Sequence, residues 1–240
     1  MSFRLSTSLD RDALHEAFQR QGYVHIPNVL PRENAERVHR IMTEKTSWSL
    51  VFADRGRHVD LPGAQLAAMP ADKTRQLQQA IYAQAREGFQ YCYNNYPLHD
   101  ARKAGVDKGH LLHAFHEWLN EDEFLGFARA VTGYGDIAFA DAQATRYRPG
   151  HFLTTHDDAQ AGKNRRAAYI FNFTPAWSED WGGYLQLLDD SGDVRHGLKP
   201  TFNALNILAV PQKHNVGIVA PFAGGLRLAV SGWLRHGADE

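Results

Sequence analysis

His156 and Asp158 are separated by one residue at the end of the segment HFLTTHDD. Side chains at positions i and i+2 leave a β-strand on the same face, so this imidazole and this carboxylate can bind one metal ion together. A second histidine, His214, opens the predicted strand HNVGIVA. Two imidazoles and one carboxylate suit a divalent transition metal and leave coordination positions open for other molecules. We therefore predict a metal site formed by His156, Asp158 and His214.

The metal prediction depends on a fourth residue, because a His-x-Asp pair occurs by chance in many proteins and this chain contains 13 histidines. Arg227 follows His214 within the segment LRLAVSGWL. In a jelly roll the last strand runs back beside the metal, and a buried arginine at that point requires an anionic partner. The carboxylate of a bound co-substrate would provide that partner through a bidentate pair of hydrogen bonds.

The predicted secondary structure that positions these residues changes from helices to strands near residue 135. After Gly135 the sequence contains short strand-like segments separated by turns: IAFADAQATRY, HFLTTHD, RAAYIFNFT, GGYLQLLD, ALNILAV, HNVGIVA and LRLAVSGWL. About seven strands at this spacing predict an antiparallel sandwich, barrel or jelly roll.

Helical patterns dominate before residue 135. The segments DRDALHEAFQRQ, RENAERVHRIMTEK, DKTRQLQQAIYAQAREGFQYCYNNY and NEDEFLGFARAVTG predict four helices, with Pro31 at the first position of the second. A short strand is expected from Tyr23 to Ile26, and residues 48–69 are expected to be mobile or hairpin-like. The pattern predicts an α+β fold: one domain, 1–240, with a helical support region, 1–135, and a jelly-roll core, 136–237.

The amino-acid composition and the lack of long apolar segments argue against several classes of protein. The 26 lysines and arginines nearly balance the 27 aspartates and glutamates, which argues against a general nucleic-acid binder. Cys92 is the only cysteine, so no disulfide framework or thiolate-rich metal site is expected. The N-terminal sequence has no apolar segment typical of a signal peptide, and no stretch reaches the roughly 20 apolar residues of a membrane helix. The expected location is the cytoplasm, without membrane association.

The stretch from Tyr147 to Trp233 resembles the 2-oxoglutarate- and iron(II)-dependent prolyl hydroxylases. The matching segments are RYRPGHFLTTHDD, RRAAYIFNFTPAWSEDWGGYLQLLD, LAVPQKHNV and LRLAVSGWLRHG, in that order. Within the superfamily the chain is most similar to the branch that hydroxylates a proline of a small-subunit ribosomal protein, and to its bacterial relatives. The resemblance implies a double-stranded β-helix, a cupin-like jelly roll, supported by N-terminal helices.

The resemblance also implies roles for individual residues. His156, Asp158 and His214 fall on the iron ligands, and Arg227 falls on the residue that pairs with the distal carboxylate of 2-oxoglutarate. Tyr147 and Ser231 fall on positions that contact the co-substrate. Apart from the resemblance, strand alternation from Arg227 predicts that Trp233 lines the same cavity, and Arg165 is a candidate contact for a peptide substrate. Asn172 is aligned with a position that often holds a tyrosine, so it is expected to contact the co-substrate with a shorter side chain.

The expected reaction is hydroxylation of a C–H bond with release of succinate and carbon dioxide. The resemblance implies Fe(II), 2-oxoglutarate and O2, with ascorbate as a candidate reductant. A prolyl residue of a protein or peptide is the expected substrate. Two alternatives remain open: a small-molecule hydroxylase acting on a free amino acid or a tailoring intermediate, and a metal-binding jelly-roll module without catalytic activity.

Overall fold

The fold combines seven α-helices with one large antiparallel sheet in the computed structural model, which describes residues 2–237. Within that range the helices are α1 (Arg11–Gln21), α2 (Arg32–Glu44), α3 (Gly63–Ala67), α4 (Ala71–Ala85), α5 (Leu98–Lys103), α6 (Leu111–Leu119) and α7 (Asp122–Thr132). None of the helices in the described part of the chain has the length and apolar character needed to cross a membrane.

The strands form a barrel-like sheet. They are β1 (Tyr23–Pro27), β2 (Ser49–Asp54), β3 (Arg57–Pro62), β4 (Tyr91–Tyr96), β5 (Ile137–Ala140), β6 (Gln143–Tyr147), β7 (Phe152–His156), β8 (Arg165–Asn172), β9 (Leu185–Leu188), β10 (Val194–Leu198), β11 (Ala204–Ala209), β12 (His214–Val216) and β13 (Arg227–His236). Ten of them follow the order β1-β11-β8-β13-β6-β4-β7-β12-β9-β10, and β2, β3 and β5 pair at its side. The predicted α+β class with an antiparallel jelly-roll core is confirmed.

Local residues explain where the first predicted helix begins and where the first and last predicted helices end. Asp10 caps α1 by accepting a hydrogen bond from the backbone N–H of Ala13 at 3.0 Å, and Gly22 ends the helix with a φ of 75°. Gly133 ends α7 in the same left-handed conformation. Pro31 was expected inside α2 but precedes it, because its ψ of 136° is extended rather than helical.

The prediction of one long helix through residues 72–96 is wrong in its second half. Helix α4 ends at Ala85, and the segment YCYNNY forms strand β4. Alternating aromatic and polar side chains fit a pleated strand, and β4 pairs with β6 and β7 in the middle of the sheet. Strands β1 and β4, which belong to the first 135 residues, are therefore built into the same sheet as the later strands.

The two faces of the sheet have different roles. Tyr169, Phe171 and Phe173 pack against the helices in the main hydrophobic core. The intervening residues of β8, such as Ala168 and Ile170, face the interior of the barrel. Because side chains alternate along a strand, the helices stabilise one face while the other face is free to line a site.

Candidate active site

The three predicted metal ligands converge at one end of the barrel. His156 ends β7, Asp158 follows two residues later, and His214 begins β12, where it lies directly opposite His156 in the antiparallel register. Nε2 of His156 and Nε2 of His214 each lie 3.5 Å from a carboxylate oxygen of Asp158. One ligand atom from each residue lies within 4.8 Å of the other two. The set therefore fits a single metal ion bound by two imidazoles and a carboxylate.

Local backbone contacts orient both imidazoles. Nδ1 of His156 lies 3.0 Å from the carbonyl oxygen of Thr154, and Nδ1 of His214 lies 2.7 Å from that of Gln212. A neutral imidazole that donates from Nδ1 leaves the lone pair of Nε2 available for a metal. Asp158 has a φ of 63°, a left-handed conformation that aspartate tolerates better than most residues.

Burial favours the neutral form of His156, which is the form that binds metal. The side chains of Asp158 and His214 are 6% and 7% exposed, whereas that of His156 is 19% exposed. Burial lowers the pKa of His156, and the neighbouring His214 lowers it further. The His156 ring is therefore held neutral near pH 7. Solvent reaches the triad from the side of His156, where the exposed ring of Phe89 lies 5.6 Å away between ring centres.

Arg227 lies in the same cavity and is almost completely buried. Its Cζ lies 4.9 Å from the centre of the Tyr147 ring, but its side chain makes no hydrogen bond or ion pair with other residues of the described range 2–237. Burial lowers the pKa of Arg227, but an arginine side chain stays protonated in proteins. A buried guanidinium in this state requires an anionic ligand.

Four of the other predicted residues also meet here. Tyr147, Ser231 and Trp233 line the cavity together with Arg227 and the triad. The guanidinium carbon of Arg165 lies 3.5 Å from the centre of the Trp233 ring, and its Nη1 donates a hydrogen bond of 3.0 Å to the carbonyl oxygen of Asp158. The site therefore includes Arg165 as a direct neighbour of a metal ligand.

Asn172 occupies a different position from the other predicted residues. It lies on the interior face of β8 opposite Ala229 of β13, but it is not among the residues that line the cavity. Nδ2 of Asn172 donates a long hydrogen bond, 3.4 Å, to the carbonyl oxygen of Ala204, and its Oδ1 is buried without a partner. Its role in co-substrate binding stays a prediction.

The cavity residues missed from the sequence include Tyr93, Gln143 and Thr145. Tyr93 stacks on Tyr147 with ring centres 5.1 Å apart, and burial raises its pKa far above that of an ordinary tyrosine. The incorrect helix over residues 72–96 concealed Tyr93. The alternation of Gln143, Thr145 and Tyr147 along one strand is the signal that could have identified the other two.

The glycine pair of the segment DWGG allows close packing behind Arg227. Gly182 and Gly183 have φ values of 63° and 65°, and a Cβ atom on Gly182 would collide with the carbonyl oxygen of Ile218. A Cβ atom on Gly183 would lie 3.2 Å from Trp177 and 3.5 Å from Cδ of Arg227. Both the backbone conformation and the available space therefore favour glycine in this turn.

The residue types, their geometry and the jelly-roll topology can now be compared with known proteins. Residues 142–235 match the family model of the 2OG-Fe(II) oxygenase superfamily. This segment includes the triad, Arg227 and all the other predicted site residues. At the level of the superfamily, the match agrees with the resemblance seen in the sequence. No curated protein matches the chain.

Solved structures of 2OG-Fe(II) oxygenases have a similar fold. An oxidoreductase of this family from Burkholderia pseudomallei has a TM-score of 0.62 at 13% identity, with 99% of this chain and 97% of that chain covered. A prolyl hydroxylase from Trichoplax adhaerens, in complex with a peptide fragment of the hypoxia inducible factor oxygen degradation domain, has a TM-score of 0.61 at 14% identity, covering 94% and 89%. A Pseudomonas putida prolyl-4-hydroxylase has a TM-score of 0.50 at 17% identity, covering 95% and 100%. At these identities the similarity shows the fold.

Proposed function

We propose that the protein is an Fe(II)- and 2-oxoglutarate-dependent dioxygenase that hydroxylates a prolyl residue of a protein or peptide. The observation that carries the dioxygenase assignment is the buried, unpaired guanidinium of Arg227 in the cavity of the His156, Asp158 and His214 triad. A metal-binding module without a co-substrate would have no use for this charge, which is costly to bury alone.

The proposed site divides binding between two groups of residues. The triad would hold Fe(II) through two Nε2 atoms and one carboxylate. Arg227 would bind the distal carboxylate of 2-oxoglutarate, with Tyr147 and Ser231 as hydrogen-bonding neighbours and Asn172 as a further contact. Iron, 2-oxoglutarate and O2 together supply the oxidation of a C–H bond to an alcohol, releasing succinate and carbon dioxide.

The chain itself supplies orientation and protection from water. Tyr93 and Tyr147 form an apolar wall beside Arg227, which strengthens the pairing of its guanidinium with a carboxylate. Thr154 and Gln212 hold the two imidazoles through their carbonyl oxygens, and Arg165 holds the backbone of Asp158. These contacts keep the ligand atoms in place before any metal binds, so little reorganisation is needed on binding.

Three observations support a prolyl residue as the substrate. The sequence segments around the triad resemble those of prolyl hydroxylases, and one solved neighbour is a prolyl hydroxylase bound to a peptide fragment. The ring of Phe89 is 55% exposed and lies beside His156. An exposed aromatic face next to the reacting centre would provide an apolar surface for a pyrrolidine ring.

Anaerobic titration of the Fe(II)-loaded protein with 2-oxoglutarate tests the dioxygenase assignment. A chelated 2-oxo acid gives a weak visible charge-transfer band, which we expect to appear in the parent protein and to be absent at the same 2-oxoglutarate concentration in Arg227→Met. If iron binds but no band forms in the parent, the protein is a metal-binding module and the proposed function is wrong. Mass spectrometry of candidate prolyl peptides, looking for the addition of one oxygen atom, then tests the substrate.

A further inference from the structure

A groove on the surface joins the metal cavity and is distinct from it. We call it the hairpin groove, because the β2–β3 hairpin contributes one wall through Asp60. Its other walls include Asn95 of β4, Asp100 of α5 and Asp141. Gln143, Ser231, Gly232 and Trp233 line both the hairpin groove and the metal cavity. A molecule that occupies the groove would therefore extend directly from the reacting centre.

The hairpin groove has an excess of negative charge. Asp60 and Asp100 are exposed, and the carboxylate of Asp60 makes no hydrogen bond or ion pair with residues in the range 2–237. Asp141 is buried and is paired with Arg235, so its charge is compensated. Asp60 and Asp100 remain as the two groove carboxylates that make no ion pair with other residues of the range 2–237. Two uncompensated carboxylates at the rim of a groove attract a cationic group.

The carboxylates do not form a second metal site. Among the residues that the structure describes, only His156, Asp158 and His214 bring three metal-ligating atoms close together. The charge of the groove is therefore suited to an organic cation, whose hydrogen-bond donors can contact the two separate carboxylates.

An unpaired amide points to a second property of the ligand. Asn95 is 7% exposed and lines the groove, yet its side chain makes no hydrogen bond within residues 2–237, and its Oδ1 is fully buried. The indole Nε1 of Trp233 is also buried without a partner. Buried polar groups in folded proteins nearly always have a hydrogen-bond partner. An amide side chain offers both a donor and an acceptor, which is the combination that pairs with a peptide unit.

We propose that the hairpin groove binds a basic peptide segment of the substrate. Asp60 and Asp100 would contact a lysine or arginine side chain, and Asn95 and Trp233 would hydrogen-bond to the peptide backbone. This inference rests on the proposed function, since it takes the occupied groove to lead to a reacting prolyl residue. It adds a substrate class: prolyl peptides with a basic residue near the proline.

The test compares two sets of labelled peptides. Each peptide has seven residues with one central proline, and lysine occupies each other position in turn in an otherwise uncharged sequence. A matched set carries norleucine in place of lysine, which keeps the aliphatic chain and removes the charge. Binding to the protein loaded with Fe(II) and 2-oxoglutarate is measured by fluorescence anisotropy without oxygen, so the readout does not require turnover.

The variants separate the groove from the general surface charge. Asp60→Asn with Asp100→Asn removes both groove carboxylates, and Asp54→Asn removes a carboxylate from the same hairpin that does not line the groove. We expect the parent to prefer at least one lysine peptide over its norleucine match by about fivefold at 50 mM salt. This preference should vanish in the double variant, persist in Asp54→Asn and weaken at 300 mM salt.

Two results would overturn the inference: equal binding of the two peptide sets by the parent, or an undiminished lysine preference in the double variant.

An Asn95→Leu variant tests the peptide contact, with an expected loss of about tenfold in affinity for both sets. Unchanged affinity in Asn95→Leu would show that Asn95 does not hydrogen-bond to the peptide backbone. The 2-oxoglutarate charge-transfer band is measured on the same samples. Its absence from the parent would refute the proposed function, whereas its presence with no lysine preference would refute only the groove assignment.

Discussion

The guanidinium of Arg227 lies over the ring of Tyr147, with 4.9 Å between Cζ and the ring centre, and Tyr147 in turn stacks on Tyr93. The three residues come from β13, β6 and β4, which are consecutive strands of the sheet. The stack of Arg227 on Tyr147, and of Tyr147 on Tyr93, fixes the position of the guanidinium and leaves its hydrogen-bond donors free. A charge that is held rigid, buried and unpaired is ready to bind a carboxylate without further reorganisation.

Replacing Arg227 with methionine should separate co-substrate binding from metal binding. We expect the affinity for 2-oxoglutarate to fall about a hundredfold, because the carboxylate loses a buried charge-assisted contact. The affinity for Fe(II) should change less than about twofold, since Arg227 makes no contact with the triad. The ligand-free variant should be more stable than the parent by about 2 kcal/mol, because an unpaired buried charge is replaced by an apolar chain.

Titration calorimetry and urea unfolding measure these changes. The matched control is Arg146→Met, because Arg146 is partly buried and, like Arg227, lies over an aromatic ring, that of Trp48, but outside the metal cavity. It should leave 2-oxoglutarate affinity unchanged. A fall in iron affinity in Arg227→Met, or unaltered 2-oxoglutarate binding, would contradict the assigned role of Arg227.

Removing the carboxylate ligand should abolish metal binding, whereas removing its neighbour should not. Asp158 faces both imidazoles, whereas Asp157 is exposed and accepts a hydrogen bond from the backbone N–H of Ala159. We expect Asp158→Ala to lower the affinity for Fe(II) by more than about a hundredfold and Asp157→Ala to change it less than threefold. Competition with a chromophoric chelator measures both. Equal losses in the two variants would remove Asp158 from the proposed ligand set.

Asn172 provides a narrower test of the co-substrate site. It is a diagonal neighbour of Arg227 across β8 and β13, and its Oδ1 has no partner. If its amide contacts 2-oxoglutarate, Asn172→Ala should lower the affinity about tenfold, the value of one neutral hydrogen bond, and thus less than Arg227→Met does. Full affinity in the variant would show that Asn172 does not bind the co-substrate. The same charge-transfer titration is the measurement.

The triad and Arg227 could be predicted from the sequence because each depends on strand alternation and on chemical need. An i, i+2 spacing fixes the common face of His156 and Asp158, and a buried arginine must have an anionic partner. The superfamily resemblance then implied the double-stranded β-helix that holds these residues. The glycine pair before β9 follows a similar local rule, because turns that require positive φ favour glycine.

Strand β4 and the hairpin groove could not be predicted, for different reasons. The helical pattern of α4 continues into polar and aromatic residues with no proline to mark its end, so the change to a strand after Ala85 was concealed. The groove is formed where Asp60, Asn95 and Trp233 meet, although these residues lie far apart in the chain. Only the register of the sheet brings them together, and no local sequence pattern specifies that register.

His151 should make the stability of the metal-free protein dependent on pH. Burial lowers the pKa of His151 from 6.5 to about 4. The unfolded chain therefore binds more protons than the folded chain between these values, and the free energy of unfolding must fall as the pH decreases below 6.5. Between pH 7 and pH 5 this residue should account for a loss of about 2 kcal/mol, from 1.36 kcal/mol per pKa unit.

The measurement is urea unfolding at pH 7 and pH 5 in the presence of a chelator. In His151→Gln the part of the pH dependence that belongs to His151 is absent, so the variant should gain about 2 kcal/mol relative to the parent on going from pH 7 to pH 5. His196→Gln is the control, because His196 is exposed, and it should retain the pH dependence of the parent. If His151→Gln and the parent lose the same stability over this interval, His151 is not held neutral by burial.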